Sequence, residues 1–145
     1  AVEPDRYDFR TVMMHELVHA LGILSGADDA LDQDRGFTVY DSFLRAPDGA
    51  PVIDEWHQVK PQYLANFTGA NGGLFFDGPN AVAAFGGPVP LFTPDPWASA
   101  SRSVSHVRVP GFLMTPFDGR GSGIRALTPV EQAMLRDLGY TVVAP

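Results

Sequence analysis

Apolar side chains recur almost without interruption over residues 9–24, where Phe9, Val12, Met13, Leu17, Val18, Leu21, Ile23 and Leu24 cover a helical projection nearly all round. That pattern marks a helix running through a core rather than along a surface. Asp5 and Asp8 are both candidates to cap its start, and the helix is expected over about residues 8–25, with Gly22 relaxing its last turn. The pattern then changes. Residues 37–44, FTVYDSFL, alternate well enough for a strand, and PDGA at 47–50 carries turn chemistry. Residues 54–64, which contain His57, predict a short helix, and residues 72–76 a short strand. DGPN at 77–80 predicts a turn, with Asn80 capping a brief helix through Phe85. The prolines of GGPVPLFTPDPW, residues 86–97, exclude a central strand and leave a loop or an edge segment. The clearest signal after the first helix is TPVEQAMLRDLGY, residues 128–140. There Thr128 caps, Pro129 takes the first helical position, Glu131 completes a capping box and Gly139 ends the helix. Met134, Leu135 and Leu138 should face the core, and this helix is expected to serve packing alone.

Composition narrows the class. At 145 residues the chain is one domain's worth, and a hydrophobic fraction of 45% suits a folded soluble protein. No apolar run approaches the roughly 18 residues of a membrane span, and no signal peptide is recognisable. A net charge of −7 argues against nucleic acid or an anionic membrane as partner. The absence of cysteine excludes disulfides, cysteine-ligated zinc and thiol catalysis. With 15 glycines and 13 prolines, long shaped loops and few regular elements are expected. The fold class is therefore α+β, with short strands and a closing C-terminal helix. Asp28, Asp29, Asp32 and Asp34 are ligands of the kind that suits calcium, but their spacing lacks the full loop signature and its terminal glutamate. A solvated acidic loop is the preferred reading.

The candidate chemistry lies in the first helix. His15 and His19, four residues apart, stand one above the other on a helix and can reach a single metal ion from one face. Glu16 points across that face, placed to take a proton from water. Two neutral nitrogen ligands, one carboxylate base and a coordination position left for water are what a zinc hydrolase needs. Two histidines in so apolar a helix are also costly to bury unless something satisfies their nitrogens. His57 has no partner at ligand spacing and reads as a surface or packed histidine.

HELVHALG, with a Leu-Met-Thr-Pro stretch around Met114 far downstream, resembles the metzincin metallopeptidases, whose fuller motif is HExxHxxGxxH. Gly22 stands where that motif has its glycine, at the bend where the chain leaves the helix. The third histidine would fall at residue 25, and this chain has Ser25. One branch of the clan, similar to leishmanolysin, delivers its third histidine after an inserted segment shortly before the methionine turn. His106, just ahead of Met114, matches that plan. GPNAVAAFGGPVPLFTP, SVSHV, LMTP and LTPVEQAMLRDLGY also look like loops and the closing helix of bacterial members of the branch.

The resemblance implies a zinc endopeptidase, extracellular or at the cell surface. His15, His19 and His106 would hold zinc, Glu16 would be the general base, and Met114 would form an apolar floor beneath the metal. Some relatives carry a helping tyrosine two residues after the methionine, but Pro116 stands there and no tyrosine is assigned. Within residues 1–145 the plan is an active-site helix at about 8–25, an inserted segment at 26–105, a third-ligand loop and methionine turn at 106–117, and a closing helix at about 128–139. Metzincin domains place a twisted sheet before the active-site helix. Only about eight residues precede it here, so the expected partners are peptide substrate and an upstream part of the same catalytic domain. Two alternatives remain open: a non-catalytic module pinned by zinc, and a hydrolase of another clan with Asp41 or Glu55 as third ligand.

Overall fold

The first helix, α1, spans Phe9–Ala20. Asp8 caps it, accepting the Arg10 N–H at 3.2 Å and the Thr11 hydroxyl at 3.1 Å. The same carboxylate accepts Gly123 N–H and the Arg125 side chain, which pins the start of the helix to a distant part of the chain. These positions come from a computed structural model that describes residues 2–27, 36–95, 103–116, 119–121 and 123–143.

Two expectations for this helix need correction. It ends at Ala20 rather than near residue 25, because Gly22, at φ 106°, turns the chain back. Gly22 N–H bonds His19 O and Ile23 N–H bonds Val18 O, the paired closure that left-handed glycine makes possible. Nor does α1 run through a core. Thr11, His15 and Val18 are buried, whereas Phe9 is 76% and Leu17 56% exposed, with Met13, Leu21 and Leu24 also open. Nearly continuous apolar sequence hides the direction of burial, because the burying side is chosen by what packs against it.

Three two-residue strands form an antiparallel sheet in chain order: β1 (Leu44–Arg45), β2 (Phe75–Phe76) and β3 (Val89–Pro90). Leu44 pairs with Phe76, and Phe76 with Val89, all three fully buried. The fold is thus α+β. Within the proline-rich segment Val89–Pro90 is the outermost of the three strands, but Leu91 also bridges Val107 on its far side, while the strand expected over residues 37–44 is confined to its end. Asp41 accepts Thr38 N–H and Thr38 Oγ1, bending the chain into a 3₁₀ turn at Tyr40–Phe43. Side-chain hydrogen bonds of this kind compete with strand pairing.

Residues 54–64 are also not one helix. Ile53 bridges Val59 around a turn held by Asp54, and a 3₁₀ helix then starts at Pro61. The brief helix α2 spans Pro79–Phe85, but Asn80 is not its cap. Asp137 takes that role from α3 (Pro129–Asp137), accepting Asn80 N–H and Ala81 N–H at 2.9 Å each. Gly78 permits this approach, since a Cβ there would lie 2.2 Å from the Asp137 carboxylate. The capping box of α3 is present as expected, with Val130, Met134 and Leu135 in the core and Leu138 packed against it. Asp28, Asp29, Asp32 and Asp34 lie outside the described residues.

Candidate metal centre

His15 and His19 project from successive turns of α1, and each ring is oriented through its Nδ1. His15 Nδ1–H donates to Leu113 O at 2.8 Å, and His19 Nδ1–H donates to Ile23 O at 2.7 Å. These two bonds fix the tautomers and leave each Nε2 as a lone pair. The Ile23 carbonyl is available because Gly22 has reversed the chain. Burial, reinforced by the nearby His15, lowers the pKa of His19, against the opposing pull of the Ile23 carbonyl and of Glu16. The ring therefore favours its neutral, ligating form.

His106 arrives by a different route. Beyond β3 the chain keeps pairing: Phe92 N–H donates to His106 O at 2.8 Å, Val104 N–H to Phe92 O at 2.7 Å, and Arg108 N–H to Pro90 O at 2.9 Å. His106 is thus carried on a continuation of the sheet edge. Behind it, Tyr40 donates its hydroxyl to Val104 O at 2.9 Å and Ser25 N–H donates to Ser105 Oγ at 3.0 Å. Burial, with the nearby Asp41 adding to it, raises the pKa of Tyr40 and keeps that phenol a donor. Val104 has φ 58°, costly for a β-branched residue.

The three Nε2 atoms meet. His15 and His106 are 3.1 Å apart, His15 and His19 3.1 Å, and His19 and His106 3.2 Å. Four ligands about 2.0–2.1 Å from a tetrahedral metal stand about 3.3 Å from one another, so the triangle fits one ion. Two lone pairs fixed toward each other at that separation also call for a cation between them. The cluster can hold a metal. No family model, curated protein or solved structure matches this chain.

The remaining candidates sort by position. Glu16 is exposed beside the pair, and no described donor bonds its carboxylate. Gly22 closes the helix. Met114 is fully buried in the turn that supplies the Leu113 carbonyl to His15, and its own carbonyl accepts Val107 N–H, next to His106. His57 and Glu55 are exposed and outside the histidine cluster, with His57 stacked near Phe37 at 6.4 Å. Asp41 is also outside it. Its carboxylate is 1% exposed and accepts Ser25 Oγ at 2.5 Å, Gly26 N–H at 2.8 Å and both Thr38 donors.

Ser25, at the position where the fuller motif has histidine, therefore braces the loop carrying His106 and is itself held by Asp41. Neither the Ser25–Ser105 bond nor the two orienting carbonyls is foreshadowed by residue type. Glu131 is the exception: its place in the capping box is visible in sequence, but its second oxygen accepts Met114 N–H at 2.7 Å. Thus α3 does more than pack.

Proposed function

We propose that this chain carries the centre of a zinc-dependent endopeptidase of metzincin type, similar to the leishmanolysin branch. The observation that carries the proposal is the convergence of three imidazole nitrogens beside the exposed Glu16. His15, His19 and His106 hold the ion. Imidazole donors suit several transition metals, and it is the likeness to the metzincins that favours zinc among them. When bound, zinc supplies Lewis acidity toward water and the scissile carbonyl. Glu16 takes the proton of the attacking water and returns it to the leaving amine. Met114 supports the site through its backbone and as an apolar floor.

The likeness that suggests this activity also suggests a secreted or cell-surface protein acting on peptides or proteins. The exposed ridge of Phe9, Met13 and Leu17 supports an upstream part of the same catalytic domain as the surface that covers α1, since apolar side chains in such a row gain by leaving water. No helix among the described residues is long and apolar enough to cross a membrane. The test uses the full-length protein. Glu16→Gln should keep about one zinc per chain while peptide hydrolysis falls about 10²- to 10⁴-fold, the range for a lost general base. Hydrolysis at the original rate would remove Glu16 from this role.

A further inference from the structure

Leu113 and Met114 share one peptide group, and both of its polar ends are committed. Its carbonyl accepts His15 Nδ1–H at 2.8 Å, and its N–H donates to Glu131 Oε1 at 2.7 Å. Glu131 is fully buried. Its other oxygen accepts Thr128 N–H at 2.7 Å and the Thr128 hydroxyl at 2.8 Å, so both oxygens are required as acceptors. A capping box is satisfied by glutamate or glutamine, but the amide of a glutamine would set a donor against one of the two backbone N–H groups. The geometry therefore asks for a carboxylate for a reason beyond the helix cap.

We infer that Glu131 is a positioning residue for the metal centre, acting on His15 through the Leu113–Met114 peptide. An anion at an amide N–H draws the amide toward its charge-separated form and makes the carbonyl a stronger acceptor, because hydrogen bonds in a chain polarise one another. The carbonyl in turn holds the His15 proton more firmly, which orients the ring and raises the electron density at Nε2. Carboxylates bonded directly to ligating histidines act in this way. Here one peptide stands between, and the same peptide belongs to the turn that places Met114. The inference rests on the metal-centre reading for its consequence at Nε2, while the effect on the His15 proton exists without any metal.

The experiment compares the full-length protein with Glu131→Gln and Thr128→Ala, the second removing the side-chain cap while leaving the Glu131 bond to Met114 in place. In metal-free protein, the proton resonance of His15 Nδ1–H should move upfield in Glu131→Gln and stay in Thr128→Ala. Zinc affinity, measured by competition with a chromophoric chelator, should weaken about three- to tenfold in Glu131→Gln, at or below the low end of what loss of a direct outer partner costs. Thr128→Ala should stay within about twofold of the original affinity despite its lower thermal stability. If Glu131→Gln does not fold, Glu131→Asp keeps a charge in the first turn of α3 but withdraws it from Met114 N–H, and the same two shifts are expected.

An unmoved His15 proton with unchanged zinc affinity overturns the relay and leaves the metal centre standing. Equal weakening in Thr128→Ala also overturns it, by reducing Glu131 to a helix cap. A moved proton in a protein that takes up no zinc sinks the metal centre instead and supports the relay.

Discussion

The two sources of the histidine set are built on different principles. His15 and His19 need only one turn of α1 to stand together, and the carbonyl that orients His19 lies four residues further on. His106 is 87 positions from His19 and reaches it only because residues 90–92 pair with residues 104–108, Tyr40 and Ser25 brace the approach from behind, and Val104 accepts a positive φ. A residue held in such a conformation costs about 1–3 kcal/mol and persists where its surroundings over-determine it. One half of the site follows from helical spacing; the other is imposed by the rest of the fold.

Removing the imposed half should have the largest effect. His106→Ala is expected to weaken zinc binding on the order of a thousandfold or more, beyond the 10–100-fold that loss of an outer partner costs, while His57→Ala leaves it unchanged. Zinc content after dialysis at micromolar protein reports both. Retention of zinc by His106→Ala would mean that the helical pair recruits another ligand.

The second test attacks the bracing alone. Asp41→Ala strips the acceptor from Ser25, Gly26 and both Thr38 donors. A buried group left unsatisfied costs about 1–3 kcal/mol, so the metal-free chain should lose at least about 3 kcal/mol in denaturant unfolding. Zinc affinity should fall with it, because Ser25 no longer holds Ser105. A loss below about 1 kcal/mol would show that water replaces the carboxylate and that the loop of His106 is held by sheet pairing alone.

What the sequence reveals divides along the same line. The paired histidines, Glu16 beside them and the Thr128–Glu131 box are local patterns in which spacing and residue type carry the geometry, and they can be read directly, while the cap of α1 is narrowed only to Asp5 or Asp8. Gly22 is half-legible: a glycine near a helix end suggests closure, but a continuing apolar run through Leu24 argues for a longer helix. The resemblance points to His106, yet no periodicity in the chain does. The bend at Thr38–Asp41 and the Asp137 cap on α2 are invisible for a related reason, since each depends on a side chain whose choice of partner is settled only in the folded chain. The exposed ridge of Phe9, Met13 and Leu17 gives the opposite error, because apolar residues report a tendency to be covered and not what covers them.

A smaller effect comes from the local half itself. Gly22 has room for a methyl group, whose nearest neighbour would be Leu138 Cδ1 at 3.7 Å, but its φ of 106° resists any side chain. Gly22→Ala should therefore cost about 1–2 kcal/mol through the backbone alone. It should also disturb His19, whose orienting carbonyl belongs to Ile23 just beyond the bend. If stability falls and zinc affinity does not, the Ile23 carbonyl is dispensable and helical spacing alone suffices for the pair.

The smallest effect asks whether even α1 stands by itself. The Arg125 side chain beside Asp8, helped by Gly123 N–H and Thr11 and opposed by burial, holds that carboxyl well below its ordinary value of 3.8. A carboxyl depressed in the folded state contributes stability that is fully present above the unfolded pKa and is lost as pH falls toward the folded one. The metal-free chain should therefore lose this contribution progressively below about pH 3.8. Asp8→Asn should lower stability at neutral pH, and its curve should converge on that of the original protein in acid. Convergence would show that the charge, and not the cap alone, ties the start of α1 to Arg125. Parallel curves across that range would assign Asp8 to capping, leaving the helical half independent of the distant chain at its N-terminus.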